Sequence, residues 1–510
     1  MGYLEERNRL FSGINEELIK PFLFARGYFT EIDVLPGYIN PSSFDDVTLD
    51  PLDWSNPPPR TSSIDILVEK PDKGLRKFSL LHPFMYIHLA NEVLNNLELI
   101  KTRLLRETAV NVYSIPPMMG FEEMAEPWKY FSRVDPAQHF LSHTTIATTD
   151  IYNFYGSIYT HSIAWALHGR DEAKNRVRDL SLPGNRLDKL FQNAQDGQTN
   201  GIPAGNVISD LMAELVLKDI DELISPLANE LDIKVFRYRD DYRFVCKNKK
   251  DARMALDQLA LSLNTHYGLT LNQSKTRIYD VETYSEKLLK GPDADIDLPI
   301  ELSAQTVRLS GVELYEYLQR IKKTGHKHAF DSGIKKLTDS LRSASSPIVV
   351  ASNLDEWMDL IFVSLIDAIN MGRSTDGYIY LLIDFLIGEA QDVNKRQRLF
   401  DNLIGHTGAG ANVARKLWTF AILLNHDSER ARQYADDQTS PLFKIASDPS
   451  IRQISVFETR DSLPSGELEK LDDFILINFD LFGRINGRED IFTIMEDELY
   501  EGMSSAHYDV

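Results

Sequence analysis

Residues 233–246 read IKVFRYRDDYRFVC. Apolar side chains recur at strand-like intervals on both sides of an acidic pair, with Val235, Phe236 and Tyr238 before it and Tyr242, Phe244 and Cys246 after it. That pattern predicts a β-hairpin bent at Asp240-Asp241. Adjacent acids at a hairpin bend are common on protein surfaces, so the pair by itself says little. Its surroundings say more. Upstream, TTIATTDIYNFY (144–155) is a β-branched run ending at Asp150, and IPAGNVISDLMAELVLKDIDELI (202–224) begins in a Pro/Gly turn and continues as an amphipathic helix. Downstream, a helix is expected from about Asp251 to Tyr267, stopped by Gly268, followed by the strand-like LTLNQSKTRIYDV (269–281). The order strand, helix, hairpin, helix, strand predicts an α+β layer, one sheet with helices on one face.

Three acids at strand ends suit one kind of chemistry. Transfer of a nucleotide to a 3′-hydroxyl needs in-line attack on an α-phosphate, with two metal ions about 4 Å apart offsetting charge on the attacking and leaving oxygens. Magnesium keeps several waters and takes few protein ligands, preferably carboxylates. Asp150, Asp240 and Asp241 are the candidates for that role.

On these residues the chain resembles the reverse transcriptases, over roughly residues 80–330. TDIYNFYGSIYTH (149–161) is similar to the family's first catalytic motif and GIPAGNVISDLMAEL (201–215) to its second. Tyr-Arg-Asp-Asp (238–241) resembles the third, GLTLNQSKTRIY (268–279) the fourth, and LSGVEL (309–314) the segment that grips the primer. The resemblance implies two Mg²⁺ ions (Mn²⁺ as a substitute) on Asp150, Asp240 and Asp241, with the Ile151 carbonyl as a further ligand. It implies an aromatic gate at Tyr155 that excludes a ribose 2′-hydroxyl, and Lys275 as the group that meets the pyrophosphate. Ala204, Gly205, Tyr238 and Arg239 would line the nucleotide pocket. Arg103 and Arg106, which with Lys101 close a helix expected from His82 to about Arg106, would reach the triphosphate; a helix C-terminus favours cations in any case. His161 and Trp165 share a helix face and are expected to serve packing.

The implied architecture is a right-hand polymerase followed by an all-α domain: N-terminal region and fingers over 1–145, palm over 146–285 with an inserted fingers segment near 165–200, thumb over 286–345, and C-terminal helices over 346–510. Those helices are also visible directly, since EWMDLIFVSLIDAIN, YIYLLIDFLIGEA and VARKLWTFAILLN each space apolar residues three and four apart. Within the family the likeness is greatest to prokaryotic phage-defence enzymes of the abortive-infection and defence-associated groups. It implies dNTPs as substrates, a non-coding RNA template or none, a DNA product with protein priming as one route, and homo-oligomers (trimer or hexamer). Two positions depart from the family pattern. Ala204 stands where a glutamine is common, and Arg239 where small or apolar residues are frequent. Alternatives are a polymerase that accepts ribonucleotides and a catalytically silent, RNA-binding or oligomeric scaffold.

Composition sets the outer bounds. At 510 residues, 43% apolar and 26% charged, the chain reads as a globular protein of two or three packed units. The net charge of −21 argues against promiscuous binding to long duplexes. The acidity is concentrated late, with 17 basic and 30 acidic residues over 331–510. The single cysteine, Cys246, excludes an internal disulfide framework or a cysteine zinc cluster. MGYLEERNRLFSG lacks the layout of a secretory signal. With no apolar run long enough for a bilayer, no membrane contact and a cytoplasmic location are expected.

Overall fold

A computed structural model describes residues 3–476, except 32–33, 37–38, 40–46, 48, 57, 70–73, 115–126, 128–129, 290–297, 303–306, 324–326, 343–347, 351–352, 371–375, 408–412, 449–451, 464–465, 468 and 472–475. Strands β1 (Ile64–Glu69) and β2 (Leu75–Leu80) pair as an antiparallel ribbon. Then come β3 (Val110–Val112), β4 (Thr145–Thr149), β5 (Lys234–Tyr238), β6 (Asp241–Cys246) and β7 (Arg277–Asp280), which make one five-stranded sheet in the order β3-β5-β6-β4-β7. Only the β3–β5 pairing is parallel. The sequence order expected around the acid pair is therefore present: β4, helix Val207–Glu230, the β5–β6 hairpin, helix Lys249–Tyr267, β7.

Local chemistry fixes these elements. The Asn206 side chain accepts from the Ser209 N–H and starts the long helix; Asn248 does the same for Lys250 and Asp251. Gly268, at φ +69°, ends the second helix with its N–H on the Asn264 carbonyl. The single helix expected from His82 to Arg106 is instead two, Pro83–Asn95 and Leu97–Leu104. Asn96 interrupts it, its side-chain amide donating to both the carbonyl and the carboxylate of Glu92 (2.8 Å each).

The boundary expected at 345/346 lies outside the described residues, and the elements on either side of it pack together. Strands β8 (Ile300–Leu302), β9 (Val307–Leu309) and β10 (Ile348–Val350) form one sheet, with β9 in the middle. Helix Gly311–Lys323 packs on helix Leu354–Asn370, so closely that a Cβ on Gly311 would lie 2.7 Å from the Leu354 Cα. Helices follow at Asp376–Glu389, Val393–His406, Val413–His426, Ser428–Asp436 and Pro441–Ser447. The later chain returns to the β1–β2 ribbon. Arg415 joins Glu69 of β1 (3.0 Å) to Asp376 (3.2 Å), the Trp418 indole donates to the Val34 carbonyl, and Thr459 bridges to Thr61. Local hydrophobic periodicity carries no trace of this return. Among the described residues no helix is long and apolar enough to cross a membrane.

Candidate nucleotidyl-transfer site

Sheet register brings the three acids together. Thr149 of β4 stands opposite Tyr242 of β6, so the next antiparallel pair along the same ladder is Asp150 and Asp241. Tyr238 pairs with Asp241, leaving Arg239 and Asp240 as the two residues of the bend. Asp150 is 4% exposed. The Lys275 ammonium meets one of its carboxylate oxygens, and the other, Oδ1, is buried without a hydrogen-bond partner. Its backbone is pinned as well. The Asn272 N–H donates to the Asp150 carbonyl and the Tyr152 N–H to the Thr270 carbonyl (2.8 Å each), which pairs Ile151 with Leu271. Lys275 sits in a turn made by Asn272, whose carbonyl accepts from the Lys275 N–H (3.1 Å) and whose side chain accepts from the Ser274 hydroxyl (2.7 Å).

The electrostatics show the strain of assembling these acids. Burial and then the charge of Asp150 push the Asp240 carboxyl above its ordinary range. Burial, followed by the charges of Asp240 and Asp150, pushes Asp241 up to about 7, with Arg243 and Lys275 opposing. Burial pulls the Lys275 ammonium down, but its hydrogen bond to Asp150 and the three acid charges outweigh that and hold it above the usual lysine range. A divalent cation would relieve the crowding and supply the missing partner of Asp150 Oδ1, so the residues fit such an ion. Among the described residues no three His, Cys, Asp or Glu side chains form a ready-made cage. Magnesium does not require one, since it is usually held by one or two carboxylates, waters and substrate phosphates.

Beside the acids, Tyr155 lies on the short helix Phe154–Ser157, and its hydroxyl donates to Asp210 Oδ1 (2.5 Å). Asp210 Oδ2 pairs with Arg239 Nη2 (3.4 Å), and Arg239 Nη1 reaches toward Glu31 (3.8 Å). Arg239 adopts φ +51°, an uncommon conformation for a residue with a Cβ. Its N–H donates to Ser114 Oγ and its carbonyl accepts from Arg237. Arg239, expected to line the nucleotide pocket, is here paired with acids of the protein itself. Tyr238 is half-buried, its ring 5.8 Å from that of Phe131.

The Pro203-Ala204-Gly205 turn abuts this group, because the Tyr155 carbonyl accepts from the Ile202 N–H (2.9 Å). The Ala204 carbonyl accepts from Ser79 of β2 (2.9 Å) and that of Gly205 from Thr30 (2.8 Å). Gly205 is required, since φ is +105° and a Cβ would press on the Phe29 ring at 3.0 Å.

The arginines expected at the triphosphate lie elsewhere. Arg106 pairs with Glu222 (2.7 Å), twelve residues along the helix from Asp210, which is roughly 18 Å at the helical rise. Arg103 acts on the same Glu222 and on His168. Lys101 is buried on the Ile14 carbonyl (2.7 Å) and Glu98 (2.9 Å). Glu222 on a neighbouring helix claims Arg106 and attracts Arg103, a competition that spacing within one helix does not reveal, whereas the acid on Lys101 belongs to its own helix. His161 pairs with Asp188 (2.6 Å), and Arg170 and Lys174 lie over the Trp165 ring.

Sequence reasoning missed Asp210 and the buried hub beneath it. Arg237 and Arg239, two apart on β5 and its bend, point to one side of the sheet. Below them Asp210, Glu214 and Asp221, spaced by four and seven, share one face of the long helix. Arg237 binds Asp221 (2.8 Å) and Glu214 (2.9 Å), with Tyr242 and Ser114 completing the set. Three carboxylates on an otherwise apolar helix face were the available signal, because such a row demands buried cations.

Residues 68–314 match the family described as reverse transcriptase (RNA-dependent DNA polymerase), a span that contains Asp150, Tyr155, the Pro203–Gly205 turn, Asp240, Asp241 and Lys275. No match is found among curated proteins. Similar solved structures include an apo telomerase from Candida tropicalis truncated from its C-terminal domain, at 12% identity and TM-score 0.30, with 52% of this chain and 55% of that one covered. Another is a telomerase from Candida albicans in complex with a fragment of telomeric RNA, at 13% identity and TM-score 0.31, with 80% and 65% covered. The chain thus spans between half and two thirds of the length of these two. Residues 68–314 are similar to a reverse transcriptase domain, a kind of domain that belongs to the nucleotidyltransferase class of RNA-directed DNA polymerases.

Proposed function

We propose, from a reverse transcriptase domain whose acids converge at one hairpin bend, that this protein is an active DNA polymerase adding dNTPs to a 3′-hydroxyl. The observation that carries the reading is that Asp150, one residue beyond the Thr149–Tyr242 pair, acts by its charge on Asp240 and Asp241 while its own Oδ1 is buried and unpartnered. Asp150 and Asp240 are the carboxylates that would hold Mg²⁺, with the Ile151 carbonyl as a further ligand and Asp241 in support. Bound there, the ions supply Lewis-acid stabilisation of the attacking and leaving oxygens. The chain's own residues do the rest. Lys275, charged and already against Asp150, moves to the departing pyrophosphate and gives up a proton to it. The Tyr155 ring closes the space that a ribose 2′-hydroxyl would occupy. The Pro203–Gly205 turn, fastened to β2 and to residue 30, forms the floor under the incoming base. Arg239 serves the protein's own carboxylates rather than the nucleotide's phosphates.

In this reading strands β4 to β7 form the palm (146–285), with β3 added to their sheet from the preceding region, the β1–β2 ribbon belongs to the fingers (1–145, with 165–200), and helix Gly311–Lys323 lies in the thumb (286–345). The later helices take the place of a second catalytic domain. The absence of a glutamine at Ala204 favours relaxed templating, from a non-coding RNA or from none. The resemblance to phage-defence enzymes adds an antiviral role, a protein-primed route and a homo-oligomer.

Primer extension tests the proposal. Purified protein with Mg²⁺ is expected to extend a primer on RNA or without template using dNTPs, to lose activity with EDTA, and to use NTPs poorly. Equal use of NTPs and dNTPs would defeat the DNA assignment. Ordinary base selection on mixed-sequence templates would defeat relaxed templating.

A further inference from the structure

The carboxylate of Asp210 connects three segments that each contribute to the site. Its Oδ1 accepts from the Tyr155 hydroxyl (2.5 Å), its Oδ2 pairs with Arg239 at the acid bend (3.4 Å), and it projects from the first turn of the Val207–Glu230 helix, just after the Pro203–Gly205 turn. The side chain of Asp210 is 12% exposed, so these contacts are sheltered from water and well defined. Arg239 is itself fixed, its left-handed backbone held by Ser114 and by Arg237, and its guanidinium drawn also toward Glu31. Tyr155 packs edge-on against Phe154, 5.4 Å between ring centres, and a further tie at its hydroxyl fixes the far end of the ring. The tie is Asp210.

We propose that Asp210 is a specificity-determining positioning residue: it holds the Tyr155 ring at the angle that rejects a 2′-hydroxyl, and Arg239 holds Asp210. This rests on the reading of Tyr155 as a sugar gate. A gate made of a planar ring discriminates only while its orientation is fixed, because the aromatic torsion is soft and a small rotation opens room for one oxygen atom. Hydrogen bonding from behind the ring supplies that fixity at no cost to the face turned toward the sugar. It also couples sugar selection to the turn that bears Asp240, since Arg239 and Asp240 are the two residues of one bend.

The test is binding of dATP and of ATP to the full-length protein with a divalent ion, by titration calorimetry, alongside primer extension with the same nucleotides. Wild-type protein is expected to prefer dATP. Asp210→Ala should bring that preference down by about tenfold or more, mainly through tighter binding of ATP, while thermal unfolding confirms that the variant is folded. Asp210→Asn, which keeps an acceptor for the tyrosine, should restore most of the preference. Tyr155→Phe should match Asp210→Ala, and the double variant should lose no more than either single one, because both remove the same contact. Arg239→Ala should give the same change to a smaller degree. A folded Asp210→Ala that keeps the full dATP preference overturns the proposal, as does wild-type protein that binds both nucleotides equally. Should wild-type protein prefer dATP and Asp210→Ala lose the preference while neither extends any primer, the polymerase reading fails and the positioning role of Asp210 stands.

Discussion

Two groups of carboxylates lie on opposite sides of one hairpin, and the protein treats them in opposite ways. Below the sheet, Glu214 and Asp221 are buried at 3% and 0% exposure and each is matched to Arg237, with Ser114 and Tyr242 filling further acceptor positions. Burial pushes Glu214 up, and Arg237 holds it partly down. At the bend, Lys275, 60% exposed, pairs with Asp150 and acts with Arg243 on Asp241, which is still driven up to about 7. The hub acids divide one buried guanidinium and two neutral donors between them; the bend leaves Asp150 Oδ1 buried with no donor at all. Partnering therefore separates the two roles where burial does not.

The contrast can be broken most sharply at the bend. Asp150→Asn or Asp240→Asn should reduce nucleotide incorporation on the order of 10³-fold while leaving the melting temperature equal or higher, since each removes like-charge repulsion; primer extension and calorimetry read the two effects. The hub should answer in reverse. Arg237→Met strands two buried carboxylates and should cost about 3–5 kcal/mol of stability, seen as a lowered denaturation midpoint. A third cluster sharpens the comparison. Asp376 shares Arg415 with Glu69, and burial pushes it up to about 7 against that arginine. A raised carboxyl binds its proton more tightly folded than unfolded, so the stability it contributes is greatest at low pH and is lost as pH rises through about 4 to 7. Asp376→Asn should accordingly raise the melting temperature by a few degrees at pH 8 and leave it nearly unchanged at pH 4. A gain of equal size at both pH values would show that the Asp376 carboxyl is not raised on folding.

The sequence was informative wherever periodicity and local order decide structure. Strand, helix, hairpin, helix and strand appear in the expected order, and Asp150, Tyr155, Lys275 and the Pro203–Gly205 turn gather around Asp240-Asp241. What stayed hidden involves partners distant in the chain. The assignment of Arg103 and Arg106 to the triphosphate missed Glu222, and the tie of Tyr155 to Asp210 spans 55 positions. Asn96 broke an expected helix through a side-chain bond that apolar spacing does not register. Spacing finds elements, and the pairing of charges between elements needs three dimensions.

The strand β10 has a consequence for how the molecule can be cut and how it can move. It supplies one edge of a sheet whose other two strands precede helix Gly311–Lys323, and that helix rests on Leu354 with no room for a methyl group. A fragment ending at 345 would lose the strand and uncover the helix, so a minimal catalytic fragment of that length is expected to be insoluble. Any lever-like swing of that helix would press on Leu354 and the helix it begins, and Arg415 ties the later helices to Glu69 of the ribbon while Trp418 ties them to Val34.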